Sequence, residues 1–327
     1  MSSARTTVAT PNVAVHWFRK GLRVHDNPAL VRACELASTV YPVFIIDPYF
    51  VQPGRVGKVR YNFLLESLKD LDHTLRTRFR SRLFVARGNP KDVLPLLVQR
   101  WGVTHITFEL DTEPYARTRD ESLRAHFCTH APHVRFSGVS GHTLWSPADV
   151  IALNHGRPPV SYQSFLSLAG QMPPPQHFDE PATISCNLSE FSDGEFGVPT
   201  LEEMGYPPLP SPSYVSKYPG GETEALKRMR HFIDTKRAWV CAFEKPKTSP
   251  NSIDPSTTVL SPYLKFGCLS SRLFFRELNS AYEGQRHAQP PVSLLGQLFW
   301  REFFYTVSSI DGAVAEGCVS RRKREGS

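Results

Sequence analysis

The chain has 327 residues, of which 40% are apolar and 11% aromatic, so it is long enough for two domains and has the composition of a globular protein rather than a disordered one. Its formal net charge of +7 favours an anionic partner. The sequence contains no run of eighteen apolar residues and no C-x-x-C pair among its six cysteines, so we expect no membrane span, no zinc site or other metal centre, and no disulfide framework.

Short β-branched and aromatic runs alternate with segments of helical periodicity between residues 13 and 136. Strands are predicted at "VAVHWF", "VYPVFIID", "RLFVAR", "THITFEL" and "HVRFSG". Helices are predicted between them, at 27–37, 58–77, 91–100 and 116–127. This alternation predicts an α/β domain with a parallel, doubly wound sheet that is covered by helices on both faces.

The segment after the first strand, "FRKGLRVHDNPAL", contains no G-x-G-x-x-G motif, which removes the main support for a nicotinamide dehydrogenase. Asp26 or Asn27 can cap the following helix, with Pro28 in its first turn. Ligands of such sheets lie beyond the carboxyl ends of the strands, where "IIDPYF" and "ELDTEPY" are found. Their acidic residues, Asp47, Asp111 and Glu113, either meet a ligand there or order the loops.

Residues 146–220 are rich in proline and predict a connector between two domains. Helical periodicity returns from "GGETEALKRMRHFIDTKRAWVCAF" onward. Leu226, Met229, Ile233 and Val240 form one apolar stripe of this segment. Basic residues occupy its other faces, where they are either simply solvated or in contact with phosphate groups.

A hydroxyl-rich turn, Ser256–Thr258, leads through Leu260 and Ser261 into the helix-like "YLKFG". Hydroxyl and backbone N–H groups at such a position can form an anion site for the phosphates of a ligand. Capping of the helix is the alternative interpretation.

The segment "LLGQLFWREFFY" has helical spacing and places Gln297, Trp300, Arg301 and Phe304 on one side of a helix. An amide and a guanidinium among aromatic rings need polar partners if they are buried. A planar heteroaromatic ligand or an unpaired base stacked on Trp300 is one such partner. An ion pair between Arg301 and Glu302 or another acid is the other.

These segments together resemble the DNA photolyase/cryptochrome family, and in particular its animal-type branch. The matching stretches, between about Val13 and Val307, are "HWFRKGLRVHDNPAL", "DTEPYARTRDE", "HTLW", "GGETEAL", "FEKPKTSPNS", "PSTTVLSPYLKFGCLSSRLF" and "GQLFWREFFYT". Two of them, "FEKPKTSPNS" and "STTVLSPYLKFG", are most similar to (6-4) photolyases. The resemblance implies an N-terminal α/β domain that holds an antenna chromophore of folate or deazaflavin type, followed by an all-helical FAD domain.

The resemblance also implies roles for individual residues. Flavin contacts are expected at seven positions: Lys245, Thr257, Thr258, Leu260, Ser261, Gln297 and Arg301. Contacts with a flipped-out DNA lesion are expected at Lys245, Gln297 and Trp300. No catalytic side chain is assigned, because in this family FAD supplies the light-driven electron transfer that repairs UV photoproducts. Neither His142 nor His287 is expected to contribute, since both are predicted on loops or at the surface.

The resemblance to the family ends near Val307–Ile310. Together with the patterns above, it predicts that the chain is divided into five segments. They are a disordered N-terminus at 1–12, the α/β domain at 13–145, the connector at 146–220, an incomplete all-α FAD-binding domain at 221–310 and a tail at 311–327 that does not resemble the family. From this C-terminal truncation we expect the apolar faces of 226–240 and 294–307 to lose packing partners, and FAD to bind weakly or not at all.

Three functions remain open from the sequence. The first is a DNA photolyase, a flavin-dependent enzyme whose lesion repair is impaired or lost in this form. The second is a cryptochrome that acts as a blue-light receptor or circadian regulator, with clock or transcription proteins as partners. The third is an isoform without activity. A monomer is expected, and the basic "RRKR" near the C-terminus indicates either nuclear import, with some protein in the cytoplasm, or simply a solvated end.

Overall fold

The structure is a computed structural model that describes residues 11–51, 54–188, 193–208, 216–249, 252 and 254–309. The predicted tail at 311–327, including "RRKR", and nearly all of the predicted disordered segment 1–12 lie outside the described residues. The predicted domain boundaries remain predictions, and the individual elements between them are described below.

Five parallel strands form one sheet within the described residues. They are β1 Val13–Phe18, β2 Thr39–Ile46, β3 Phe84–Arg87, β4 His105–Glu109 and β5 Arg135–Val139. Their order across the sheet is β3-β2-β1-β4-β5, and Ala14 of β1 pairs with Val40 on one side and His105 on the other. The predicted parallel, doubly wound sheet is confirmed. Its strand order reverses between β1 and β4, where such sheets open a crevice for ligands.

Four helices connect these strands: α1 Pro28–Leu36, α2 Lys58–Phe79, α3 Pro90–Trp101 and α4 Pro114–His130. Asn27 caps α1, because its side chain accepts a hydrogen bond from Leu30 N (3.0 Å), and Pro28 occupies the first turn as predicted. Helix α3 ends at Gly102, whose φ of +61° lies in the left-handed region that suits glycine. Local sequence signals therefore set where α1 begins and where α3 ends.

The sheet is buried on both faces. Side chains alternate along a strand, so Ala14 and Phe18 face the layer of α1 and α2, whereas Val15 and Trp17 face α3 and α4. The apolar core on the α1–α2 side continues without interruption into the C-terminal half of the described chain. The two halves therefore share one core.

After β5 the described chain is helical. Its helices are α5 Pro147–Leu153, α6 Tyr162–Ala169, α7 Asp193–Phe196, α8 Glu222–Arg230, α9 Arg237–Ala242, α10 Ser261–Phe266, α11 Ser271–Tyr282 and α12 Leu294–Ser308. A π-helical turn, His231–Thr235, joins α8 to α9, and a 3₁₀ turn, Pro48–Phe50, follows β2. The segment predicted as a connector thus contains short helices, and its α5 and α6 pack against α12. In the ranges that the structure describes, all helices are too short or too polar to cross a membrane.

A buried polar junction ties the turn after β1 to the helical half. Asp26 accepts hydrogen bonds from Phe178 N (2.9 Å) and from the Ser270 hydroxyl, and it pairs with Arg272 at 3.0 Å. Glu222, at the start of α8, accepts from two backbone N–H groups of the same turn. Buried charges that lose such partners are strongly destabilising, so this junction constrains how the two halves meet.

The apolar stripe of α8 and α9 is packed, contrary to our expectation. Met229 and Val240 are almost completely buried, and Leu226 and Ile233 lie against the same core. The prediction was wrong because α8 packs on α2, and α9 and the π-helical turn pack on α11, so the stripe finds partners within the described residues.

The outer face of α12 is exposed in the part of the chain that the structure describes. Leu294 and Leu298 on its inner face are buried, whereas Trp300, Phe304 and Val307 are 38%, 61% and 39% exposed. An apolar patch therefore lies at the end of the described chain.

Candidate functional site

A cavity of about 350 Å³ opens between the segment 257–261 and α12, and we call it the helical cavity. Six of the seven predicted cofactor contacts line it: Thr257, Thr258, Leu260, Ser261, Gln297 and Arg301. Four apolar side chains contribute to the same wall: Leu264, Phe274, Leu294 and Leu298. The tertiary structure thus brings together two motifs that are separate in the sequence, and it combines hydroxyl, amide and guanidinium groups with an apolar surface.

The segment 257–261 is shaped by its own hydroxyl groups. Val259 N donates to Thr257 Oγ1 at 3.3 Å, and Leu260 N donates to Thr258 Oγ1 at 3.4 Å. Between them Val259 has a φ of +52°, a strained conformation for a β-branched residue. Helix α10 begins at the last residue of this segment, Ser261, with Leu260 at its N-cap and no side-chain hydrogen bond to cap it. The capping interpretation is therefore wrong, and strain of this kind is often found where a loop is shaped for a ligand.

Arg301 reaches the helical cavity from α12 and is held by several partners. Its Nη1 pairs with Glu302 Oε1, and its Nη2 lies 2.8 Å from both the backbone oxygen and Nε2 of His142. Its guanidinium also lies 4.6 Å from the centroid of the Tyr305 ring. The ion pair that the sequence left open is confirmed, and Arg301 lines the cavity as well.

Glu302 lies behind Arg301 and is almost completely buried. Its Oε2 accepts a hydrogen bond from Leu144 N at 2.7 Å. Burial raises the pKa of Glu302, although the neighbouring Arg301 opposes this change.

Trp300 and Lys245 do not join the other predicted site residues. The Trp300 ring stacks on Tyr162 of α6 with 3.9 Å between centroids and 9° between planes, because α6 packs along this side of α12. Lys245 is exposed and lies outside the lining of the helical cavity. Neither residue therefore lines the helical cavity, and the contacts with DNA predicted for them would lie outside it.

A second cavity, of about 480 Å³, lies at the carboxyl edge of the sheet, and we call it the sheet-edge cavity. It is lined by the ends of β1 and β2, by the turn Pro48–Phe50, and by Lys265 and Phe266 from the helical half. Asp47 at this edge accepts hydrogen bonds from Tyr49 N (2.9 Å) and the Tyr115 hydroxyl (2.6 Å). Loop ordering by Asp47 is therefore confirmed, and the same residue also lines a cavity.

Charged side chains separate the two cavities. Lys20 Nζ lies 2.8 Å from both Asp111 Oδ1 and Glu113 Oε1, and Lys265 Nζ lies 2.8 Å from the same oxygen of Glu113. Burial alone would raise the pKa of Glu113, but the two lysines outweigh it and lower this pKa to about 2. Lys20, Asp111 and Glu113 line the sheet-edge cavity, whereas Lys265 lines both cavities and so stands between them.

Sequence reasoning missed three residues of this region: His142, Lys265 and Tyr305. His142 lies on the loop that follows β5, as expected, but it is not at the surface, since only 6% of it is exposed because α12 covers this loop. Tyr305 follows Arg301 by four positions, so helical spacing alone could have placed both on one face. Lys265 stands in the quoted "YLKFG", but only the tertiary structure shows that it meets Glu113.

This architecture is that of a two-part protein in which a doubly wound α/β half meets a helical half, with one cavity at the sheet edge and another among the helices. The family model for DNA photolyase matches residues 14–182, and the chain belongs to the photolyase/cryptochrome family. The predicted membership is confirmed.

Two curated relatives represent both branches of this family. The chain is 47% identical over 318 residues to the (6-4)DNA photolyase of Arabidopsis thaliana, and the match covers 93% of this chain and 56% of that protein. It is 45% identical over 303 residues to cryptochrome-1 of Macaca fascicularis, and this match covers 90% of this chain and 51% of that protein. The chain spans about half the length of the curated relatives it matches.

A solved structure shows the same fold. It is a crystal structure of an archaeal photolyase from Sulfolobus tokodaii with two FAD molecules, and it matches with a TM-score of 0.61 and 25% identity. The match covers 91% of this chain and 59% of that one. The predicted photolyase-type α/β half followed by helices is therefore confirmed.

Proposed function

We propose that this chain binds FAD in the helical cavity and takes part in the light-driven repair of UV photoproducts of (6-4) type in DNA. The observation that carries the proposal is the convergence of the segment 257–261 with Gln297 and Arg301 around one cavity. Hydroxyl groups and a guanidinium are suitable donors to phosphate oxygens, and the apolar wall suits a flat ring system. The donor set therefore fits a flavin dinucleotide.

Each group has a distinct part in this proposal. Thr257, Thr258 and Ser261 would hold the phosphates, Arg301 would add a positive charge, and the amide of Gln297 would orient polar edges of the ligand. When bound, FAD supplies the light-driven electron transfer to the DNA lesion. The protein orients the cofactor and keeps water away from one of its sides.

We propose weak FAD binding by the described part of the chain. The helical cavity, at about 350 Å³, lies at the lower end of the range for ligands of drug size, and FAD is larger than such ligands. Only the inner face of α12 packs against the rest of the protein, whereas its outer aromatic face is exposed. A cofactor held on few sides gains little of the burial on which affinity depends.

We propose the sheet-edge cavity as the site of an antenna chromophore of folate or deazaflavin type. It lies at the carboxyl edge of the sheet, and the aromatic side chains of Tyr49 and Phe50 line it. The relative from Sulfolobus tokodaii, which carries two FAD molecules, shows that the fold can hold two ligands at once.

DNA contacts at Lys245, Gln297 and Trp300 remain part of the proposal. Gln297 and Trp300 are both exposed on α12 beside the helical cavity, and an exposed aromatic ring can stack on an unpaired base. We propose a nuclear location, with some protein in the cytoplasm, because the substrate would be nuclear DNA. A cryptochrome role, in blue-light reception or circadian regulation with clock or transcription proteins as partners, is the second candidate, since the relatives include cryptochrome-1.

Equilibrium dialysis of the purified chain against FAD tests the proposal. We expect saturable binding with a dissociation constant above about 1 μM, and a loss of about tenfold in Arg301→Met because a charge-assisted contact is removed. Arg276→Met is the matched control, since Arg276 is an exposed arginine of α11 outside the cavity. No binding at about 1 mM FAD, or equal losses in both variants, would contradict the proposed site.

Lesion repair distinguishes the two candidate functions. The chain loaded with reduced FAD is mixed with an oligonucleotide that carries a (6-4) photoproduct, in light and in darkness. Repair in light alone supports the photolyase role. Absence of repair, together with flavin photoreduction when the chain is loaded with oxidised FAD instead, supports the cryptochrome role.

A further inference from the structure

His142 connects the α/β half to the helical cavity. It lies on the loop after β5, but its ring contacts two side chains of α12. Its Nε2 lies 2.8 Å from Arg301 Nη2 and 3.0 Å from the Tyr305 hydroxyl. Arg301 and Tyr305 both line the helical cavity, so His142 stands directly behind its wall.

The contact with Arg301 determines where the proton of His142 resides. A guanidinium can only donate hydrogen bonds, so Nε2 of His142 must be unprotonated and must accept. The imidazole is therefore neutral, with its proton on Nδ1. Burial lowers the pKa of His142 well below its ordinary value, and the surrounding cations Arg301, Lys20, Arg23 and Lys265 lower it further. The acidic and phenolic groups nearest to it on α12 are Glu302, which pairs with Arg301, and Tyr305.

The loop that carries His142 is held on both sides of this residue. Its own backbone oxygen accepts hydrogen bonds from Arg301 Nη2 at 2.8 Å and from the Ser271 hydroxyl at 3.2 Å. The preceding Gly141 oxygen accepts from Arg272 at 2.8 Å, and Leu144 N donates to Glu302. A residue supported in this way can position a long side chain that would otherwise sample many rotamers.

We propose that His142 is a positioning residue of the helical cavity, which holds Arg301 in its ligand-facing orientation and makes ligand affinity depend on the α/β half. The inference rests on the proposed function of that cavity. His142 need not touch the ligand itself, since it acts through the hydrogen bonds that its ring and its backbone oxygen accept from Arg301.

Two substitutions of His142 test this role by equilibrium dialysis with FAD. His142→Leu removes the ring acceptor, and we expect the dissociation constant to rise about ten- to hundredfold, the range for a lost hydrogen bond to a charged group. In His142→Gln an amide oxygen can take the place of Nε2, so we expect affinity within about threefold of the wild type. In an Arg301→Met background, His142→Leu should cause no further loss.

Thr143→Val provides the comparison on the same loop, outside the cavity lining. It removes the hydrogen bond that the Thr143 hydroxyl donates to Trp145 O (2.6 Å) but leaves the contacts between His142 and Arg301, so a loss as large as that in His142→Leu would overturn the proposal. Unfolding of each variant in urea reports stability separately. A His142→Leu variant that binds FAD like the wild type would also overturn the proposal, whereas the proposed function would stand.

A measurement without flavin separates the proposed FAD binding in the helical cavity from the proposed positioning role of His142. In the full chain labelled with ¹⁵N-histidine, the NMR signals of His142, assigned by their loss in His142→Gln, should report a neutral ring protonated on Nδ1. Arg301→Met removes the nearest cation, so the pKa of His142 should rise. If the chain binds no FAD but this rise occurs, the proposed function fails and the Arg301–His142 contact is supported. A His142 ring that is charged at pH 7 would overturn the inference whatever FAD does.

Discussion

Removal of the Glu222 carboxylate should destabilise the chain strongly, because three donors depend on it. Glu222 accepts hydrogen bonds from Val24 N and His25 N, each at 2.9 Å, and it contacts the His25 ring at Nδ1. The other ring nitrogen of His25 accepts from Ser270 N at 3.1 Å, so the histidine links α8 to the start of α11. All these groups are buried, and solvent cannot replace the carboxylate.

The magnitude follows from the partners that are lost. A buried donor without a partner costs about 1–3 kcal/mol, and Glu222→Ala would leave three such donors: Val24 N, His25 N and His25 Nδ1. We therefore expect Glu222→Ala to lose about 3–5 kcal/mol of unfolding free energy. Glu222→Gln keeps one oxygen acceptor for the backbone donors and should lose about half as much.

Urea unfolding, followed by tryptophan fluorescence and circular dichroism, measures these losses. Glu224→Gln is the matched control, because Glu224 is on the same helix but is only partly buried and lies 3.6 Å from both Lys227 and Arg228, so it should change stability by less than about 1 kcal/mol. A loss below about 1 kcal/mol in Glu222→Ala would refute the reasoning.

Acid should reduce the contribution of the Glu222 carboxylate to the free energy of unfolding. Burial raises its pKa, but His25 and the two backbone donors outweigh burial and lower it below the ordinary value. A depressed carboxyl pKa stabilises the fold above the unfolded pKa, and this contribution is lost as the pH falls. The difference between the wild type and Glu222→Gln should therefore shrink below about pH 4.5.

Three further predictions concern other parts of the structure. Burial, assisted by Arg23, lowers the pKa of His16 to about 3, so His16 alone should cost the fold about 2 kcal/mol between pH 7.5 and 5. His16→Asn should reduce the pH dependence in urea titrations by that amount and leave the share of other buried histidines such as His142. Gly267→Ala should destabilise the chain by more than about 2 kcal/mol in urea, because its φ is +69° and an added Cβ would lie 2.2 Å from Gly21 N; unchanged stability would argue against this contact. Phe304→Ser should alter the free energy of unfolding by less than about 1 kcal/mol but reduce ANS fluorescence, because Phe304 is 61% exposed. A large loss of stability would show that the apolar patch is covered.

Much of the α/β half could be predicted from the sequence. The five strand runs and the four helical segments between them agree with the structure to within a few residues at their ends. Local signals such as Asn27 with Pro28 act over one turn and need no tertiary partner. The prediction for the stripe at 226–240 was wrong because burial there depends on α2 and α11, which no local pattern reveals.

The candidate site was predictable in part. The motifs at 257–261 and 297–301 were recognised from the sequence, and six of the seven predicted cofactor residues line one cavity. Trp300 was expected beside Gln297, but the structure turns it toward Tyr162, because the neighbour that packs on a helix face decides which side chains remain free for a ligand.

The sequence by itself determined the alternating strands and helices and the start of α1, since these depend on residues close together in the chain, and its motifs identified the photolyase/cryptochrome family. Only the tertiary structure decided that His142 lies behind Arg301 and that Lys265 stands between two cavities. Such contacts join residues more than 150 positions apart, and burial strengthens the contact between His142 and Arg301 by excluding water. Their energies therefore arise from the folded arrangement of the two halves.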